Sequence, residues 1–372
     1  MKKTLAAVAV LGAFAGSAVA ADVTLYGMVD TGLNWTQTKT TGSSAKDTFN
    51  MASGQNTAPR IGFRGTEDLG DGWKVGFNLE NAFASDTGAL DKSGRFFQRE
   101  ALLFVQSPFG ELSMGRVGAL DSGAGRYAMM GSAATAMSTG WDLVGKSTKI
   151  FLGTGDRMDN TVTYATPTFA GVTVYAQASL KADTVESGVD AAAKKAHVEG
   201  SSDADRYYGL GAKFSAEGLN AGLAVSMRDY SRYDMNQKDD DGYTVSGYVN
   251  YDFGMVKPML AAQYWDGGKV GTYASTTNSI SSTKGYGVMV GATAPVLGGT
   301  FKVTGGWNDY EAVDTDNVDG NNWVFGMGYE YKLSKRTMVY TAAGYMEEKV
   351  KHTGVSTKTK TSEVMAGLVH NF

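Results

Sequence analysis

The chain has 372 residues, with 34 Lys and Arg against 38 Asp and Glu, 49 Gly, five Pro and no Cys. Without cysteine there is neither a disulfide framework nor a thiolate metal site, and a mildly acidic chain has no basic stripe to neutralise nucleic-acid phosphates. Glycine is at about twice its usual ~7% share, and no apolar run after the N-terminus approaches 18 residues, which excludes helical membrane spans.

Residues 1–20 read as a secretory signal peptide. Lys2 and Lys3 are the basic region, Thr4 to Phe14 the apolar one, and Ala18-Val19-Ala20 the small-x-small cleavage site. The mature part, 21–372, carries a net charge of −6 and contains no linker or composition break, so one domain is expected. Strand-like alternation follows almost everywhere. Val172, Val174, Ala176, Ala178 and Leu180 alternate with Thr173, Tyr175, Gln177 and Ser179. Further on, Trp323, Phe325, Met327, Tyr329 and Tyr331 alternate with Val324, Gly326, Gly328 and Glu330.

The connections are of two kinds. Tight ones fall at Asp68–Gly72, Ser107–Gly110, Thr166–Gly171, Ser215–Gly218, Asp252–Gly254, Ala294–Gly299 and Ser334–Lys335. Long polar ones fall near 36–57, 85–95, 118–156, 183–203, 233–241, 268–282, 311–319 and 351–359. Seven tight turns alternating with eight loops give sixteen antiparallel strands with both ends of the domain on the turn side. Length segregation of this kind is expected of a transmembrane β-barrel with short periplasmic turns and long extracellular loops. Aromatics should form two belts. Trp35, Trp265, Trp307 and Trp323 fall at the loop end, and Trp73, Phe169, Phe301, Tyr331 and Phe372 at the turn end. The last strand, VMAGLVHNF, keeps its period to Phe372 and is expected to pair with VTLYGMV (23–29) to close the barrel.

Parity also sorts charges. Ile61 and Phe63 take one face of their strand and leave Arg60 and Arg64 on the other, which should be the lumen because arginine at lipid depth costs roughly 2–4 kcal/mol. Lys74, Lys213, Arg228, Lys302, Asp30 and Glu80 share lumen parity and are expected in the vestibules. Arg116 shares parity with Leu112 and Met114, which makes it outward unless a bulge shifts the register. No HExxH, GxSxG or cysteine nucleophile accompanies His197, His352 and His370, so no enzyme is expected, and no metal site or cofactor.

VTLYG (23–27), PRIGFRGTEDLG (59–70), GRVG (115–118), DNTVTYATPTFAGVTVYAQ (159–177), YEYKLSKRTMVYTAAGY (329–345) and the final GLVHNF resemble the trimeric general porins of Gram-negative bacteria, the betaproteobacterial type above all. The resemblance implies a homotrimer in the outer membrane and a third loop (118–156) folded into each channel as its constriction. It places Arg60, Arg99 and Arg157 in a basic cluster facing that loop; Arg64, by its parity, and Arg116 are weaker pore-lining candidates, and Asp121 and Asp142 of the loop are the expected acidic partners. Leu368, His370 and Phe372 would form the address read by the barrel-assembly machinery. Membrane lipid and lipopolysaccharide would surround the barrel. The implied function is passive diffusion of small hydrophilic solutes and ions, with weak to moderate anion preference. A substrate-specific channel, or an adhesin or structural barrel, is the alternative.

Overall fold

A computed structural model of the chain describes residues 23–92, 94–137, 140–141, 145–153, 157–182, 199–200, 204–229, 241–269, 282–313 and 317–372. The expected signal peptide, Asp142, His197 and most of the 183–203 and 268–282 connections lie outside the described residues. The strands are β1 (Thr24–Thr40), β2 (Lys46–Ser53), β3 (Arg60–Gly70), β4 (Trp73–Ala82), β5 (Glu100–Ser107), β6 (Gly110–Gly118), β7 (Arg157–Ala165), β8 (Val172–Ser179) and β9 (Arg206–Ala216). They continue as β10 (Leu219–Asp229), β11 (Gly242–Tyr251), β12 (Lys257–Lys269), β13 (Ser282–Val296), β14 (Gly299–Ala312), β15 (Val318–Lys332), β16 (Thr337–His352) and β17 (Val355–Asn371).

All of them belong to one antiparallel sheet that closes where β1 meets β17, with Met28 opposite Asn371 and Trp35 opposite Val364. The barrel has sixteen staves, because β2 and β3 are two halves of one. The first half pairs with the outer part of β1 (Trp35 opposite Phe49) and the second with its inner part (Leu25 opposite Phe63). Closure uses the chain end fully: Phe372 N–H donates to Gly27 O (3.1 Å), and Gly27 N–H donates back to Phe372 O (3.2 Å). A Cβ on Gly27 would lie 2.4 Å from the Phe372 ring, so that ring needs a glycine beneath it.

One side of the alternation is exposed and apolar, as lipid contact requires. Leu25, Leu103, Leu210, Val290, Phe325 and Leu368 all face outward, whereas polar Thr163, Gln177, Ser226 and Asn308 are buried inward. Two expected loops are shorter than the sequence suggested. Within 36–57 the chain makes a hairpin, β1 to β2, and within 351–359 β16 and β17 meet at Thr353-Gly354, both at positive φ (49° and 82°). Residues 36–48 carry no large apolar side chain and 351–359 only Val355, so alternation could not reveal these extensions; farther along β2, Phe49 and Met51 are exposed opposite Trp35 and Leu33.

Trp265 also departs from expectation. It is fully buried, packs against Leu152 and Tyr310, and donates from Nε1 to Thr283 Oγ1 (3.0 Å). Its neighbour Tyr264 is the outward aromatic, 49% exposed. Height along the strand located Trp265 correctly, but parity with buried Met259, Ala261 and Gln263 turns it inward. Trp307 and Trp323 are outward as expected and pair across β14 and β15, and the Trp323 ring lies 4.8 Å from Tyr345.

Candidate pore constriction

Between β6 and β7 the long connection enters the barrel, and its apolar side chains form the interior core. Leu120, Met129, Met130, Ile150 and Phe151 are buried against Leu102, Ala224, Met289 and Val324 of the wall. Met137 and Trp141 pack on Tyr340, Ala342 and Met365 farther round. The wall is hollowed to receive them. A Cβ on Gly287 would lie 2.5 Å from Ile150 O, and one on Gly328 would lie 2.8 Å from the Trp141 ring.

A loop inside a barrel must satisfy its backbone polar groups, and inward amides of β8, β11, β12 and β14 do this. Gln177 accepts from Leu120 N (3.1 Å), and Asn250 donates to Ala133 O (2.7 Å). Gln263 accepts from Leu152 N (2.5 Å) and donates to Leu152 O (3.0 Å), and Asn308 donates to Ile150 O (3.1 Å). Nothing in the sequence marked these residues. Their only signal is a lone Asn or Gln at inward parity.

Asp121 belongs to this anchoring set and does not face the channel. It is wholly buried and accepts from Ser226 Oγ (2.7 Å) and Tyr207 OH (3.2 Å), with the Arg228 guanidinium at 3.4 Å. A short Asp beside a loop root cannot reach across a barrel, so it pairs with the adjacent wall. Arg228 and Lys213, expected in the vestibules, serve the same loop; Lys213 Nζ donates to Ala128 O (3.0 Å). Tyr127, also in the loop, donates to Glu111 Oε1 (2.5 Å), and burial and that carboxylate push its phenol up.

A cavity of about 730 Å³ lies between the loop, through Gly123–Gly125, Met137 and Trp141, and the wall. Arg60, Arg99 and Arg157 all line it, as do Lys146 of the loop and Lys302 of β14. Its acidic lining groups are Asp91 and Glu330. Lys302 pairs with Glu330 (2.7 Å), and Asp91 accepts from Gln98 (2.8 Å). Glu80 serves two arginines at once: Arg99 Nε hydrogen-bonds to it directly, and Arg60 Nη1 is 3.8 Å away. Arg157 makes no ion pair with any described carboxylate, and its buried Nε has no hydrogen-bond partner among the described residues. Glu100, behind the cluster, is occupied by Asn78 and by Arg126 N (2.8 Å). Lys302 therefore stands at the cavity itself, nearer than its expected vestibule position, and Glu80 reaches it only through Arg60 and Arg99.

Arg60 is aimed by the break between β2 and β3. The inserted residues Gly54 to Pro59 turn into the lumen, where Asp30 accepts from Asn56 N and Thr57 N (2.8 Å each) and from Tyr340 OH (2.7 Å). Arg60 then donates to Ala58 O (3.1 Å) and Thr57 Oγ1 (3.0 Å). Asp30, expected to line a vestibule, is wholly buried beneath this insert.

Arg64 lies toward the turn end, its guanidinium 5.1 Å from the Tyr26 ring, in a separate recess with Arg126. Arg116 does not point outward. The register shifts between Gly115 and Val117, with Gly115 at φ 130°, and this bulge turns Arg116 to Asp159 (2.6 Å) and Gln98 O (2.7 Å). Arg95, which sequence reasoning passed over, binds the same Asp159. At the seam, Leu368, His370 and Phe372 lie on the outward face; Leu368 is 46% exposed and His370 Nδ1 lies 3.0 Å from Thr337 Oγ1.

Comparison with known proteins agrees with this architecture. The profile described as Gram-negative porin matches residues 6–351. An outer membrane porin protein of Bordetella pertussis is 32% identical, with the whole of both chains aligned. Outer membrane porin protein 32 of Delftia acidovorans is 28% identical over 94% of this chain and 90% of that one. Among solved structures, the anion-selective porin from Comamonas acidovorans superposes with a TM-score of 0.67 at 24% identity, covering 95% of this chain and all of that one. With its closed sixteen-stave barrel, outward apolar band and loop-filled lumen, the chain belongs to the Gram-negative porin family of the outer membrane.

Proposed function

We propose that the channel is a general diffusion pore for small hydrophilic solutes and ions, that it prefers anions, and that Arg60, Arg99 and Arg157 set this preference. The observation that carries this is the charge balance at the cavity. Two of the three guanidiniums share the single carboxylate of Glu80, and Arg157 makes no ion pair among the described residues. A low-dielectric wall focuses the field of such a cluster, while outer-loop charges beyond a Debye length of ~8 Å are screened. The name of the Comamonas relative, an anion-selective porin, points the same way. No bond is made or broken; the protein works as a hole of defined width and charge.

In this reading loop 3 supplies the facing edge through Lys146 and the Gly123–Gly125 segment, which line the same cavity. The functional unit is a homotrimer. Leu368, His370 and Phe372 act as the assembly address, so deleting Phe372 should lower the yield of folded barrel before it alters the conductance of what does fold.

The decisive experiment is the reversal potential of the purified protein in a planar bilayer under a salt gradient. Stepwise openings with the anion sign are expected, and Arg60→Ser, Arg99→Ser and Arg157→Ser together should move the potential toward zero or past it. Absence of openings would remove the channel assignment. An unchanged potential in the triple variant would remove the site assignment.

A further inference from the structure

The recess that holds Arg64 is separate from the constriction and is built by the strand register. Thr24, Arg64 and Asn78 stand directly opposite one another on β1, β3 and β4, in one inward row. In the inward row on each side of it, a glycine has a ring from a neighbouring strand laid over it. A Cβ on Gly62 would lie 2.5 Å from the Tyr26 ring, and one on Gly76 would collide with the Phe104 ring. A guanidinium covers each ring in turn, Arg64 over Tyr26 at 5.1 Å and Arg126 of loop 3 over Phe104 at 4.1 Å. The two stacks border a cavity of about 570 Å³, a size usual for small-molecule sites.

The charges of the recess are unevenly spent. Glu80 serves Arg60 and Arg99 and accepts from Tyr26 OH (3.0 Å). Glu100 accepts from Asn78 and from Arg126 N (2.8 Å). Glu111, at the foot of the loop, takes Nε and Nη2 of Arg126 (2.8 and 2.6 Å) and also accepts from Gln106 (2.8 Å). All three carboxylates are therefore committed. Arg64 has no ion pair and no hydrogen bond among the described residues; its guanidinium has only the Tyr26 ring. Of the two cations that line the recess, Arg126 is neutralised and Arg64 is not.

This imbalance selects the ligand. One free planar fork matches one carboxylate through two parallel hydrogen bonds. A dianion such as phosphate would meet a single uncommitted positive charge beside three carboxylates, so a monoanion fits better. Thr24 and Thr66 line the same space and add hydroxyl donors. Arg64 is exposed and the Arg126 side chain keeps 32% of its surface, so each stacked guanidinium still offers a flat face to the cavity. Aromatic rings stack on such faces.

We propose that this recess is a binding station for a small aromatic carboxylate, its carboxylate on the Arg64 guanidinium and its ring against the face of Arg126. The station lies on the turn side of the Arg60, Arg99 and Arg157 cluster, so a solute that has passed the constriction meets it next. The inference deepens the diffusion-pore reading by naming a class of solute, and it rests on that reading only for the route by which the solute arrives.

The test is a ligand-observed NMR titration of the full-length mature protein in detergent, with benzoate, neutral benzamide and inorganic phosphate as probes at fixed ionic strength. Benzoate should bind more tightly than either of the others by about tenfold or more. Arg64→Gln, in protein that melts with the parent, should weaken benzoate binding by a similar factor. Lys74→Gln, a neighbouring inward lysine already paired with Asp68 (3.6 Å), should leave it unchanged. Arg60→Ser, Arg99→Ser and Arg157→Ser together should also leave benzoate affinity in place. Absence of benzoate binding by the parent overturns the proposal, as does equal binding by the Arg64 variant. Equal affinity for benzamide or phosphate overturns the ligand class. Equal losses in the Arg64 and Lys74 variants would reduce the effect to net charge and overturn the site. Loss in the triple variant would move the binding to the constriction, with the same consequence. The titration needs no conduction, so its failure is distinguishable from failure of the channel assignment, which the bilayer recordings read.

Discussion

Two stretches of the same lumen wall make opposite use of one strand pattern. From β3 to β7 the wall carries Arg60, Arg99 and Arg157, which border a cavity, with Glu80 paired to the first two. From β12 to β15 the inward positions that receive loop 3 are glycines, amides and apolar side chains, as at Gly287, Gly328, Gln263, Asn308 and Met289, while Lys302 and Glu330 reach the cavity. The first wall keeps its charges next to solvent-filled space, and the second gives up its surface to packing. The contrast shows how one loop can narrow a pore asymmetrically: it packs on glycines, amides and apolar side chains of one wall and leaves the arginines of the other beside the cavity.

This division can be broken most severely at the loop root. Asp121→Ala would take a buried carboxylate away from the Arg228 guanidinium, a cost of about 3 kcal/mol. Loop 3 should then become open to protease from outside, and channel noise should rise while the sign of the reversal potential stays the same. Survival of the parent's cleavage resistance would show that the amide contacts alone hold the loop. Gly287→Leu tests the hollowed wall. Its side chain would enter the space of Ile150, at a cost of roughly 1–3 kcal/mol for overpacking. A displaced loop should raise single-channel conductance, and an unchanged conductance would mean the loop narrows nothing there.

Smaller effects sharpen the comparison. Gln263→Leu removes two contacts to Leu152 and should lower thermal stability by about 1–2 kcal/mol with little change in selectivity. Arg157→Ser should do the reverse. Melting should stay within about 0.5 kcal/mol of the parent, because no ion pair is lost. The reversal potential should nevertheless shift toward cations. If the two variants fail to separate stability from selectivity in this way, the two walls are not functionally distinct.

Much of the barrel was legible because its signals are local. Strand parity, the Gly and Pro turns and the length of each connection depend on neighbouring residues, and together they led to sixteen staves and the β1–β17 seam. Arg60 and Arg64 could be turned inward by parity alone. Arg116 could not, because a bulge at Gly115 resets the alternation without leaving a periodic mark. Trp265 was placed by height when the nearby Gln263 already pointed to the inward face. Asp121 could not be given a direction, because the loop that carries it, rich in Gly, Ala, Ser and Met, has no period from which one could be read.

The sequence by itself determined the strands, their order, the lipid-facing band and which arginines share an inward side, since each follows from contacts between near neighbours along the chain. Tertiary structure alone decided that loop 3 lies on glycines of β13 to β15, that Asp30 and Tyr340 hold the insert that aims Arg60, and that Glu80 is divided between two guanidiniums. These contacts join residues up to 310 positions apart. No local pattern encodes such distances; closure of the barrel creates them.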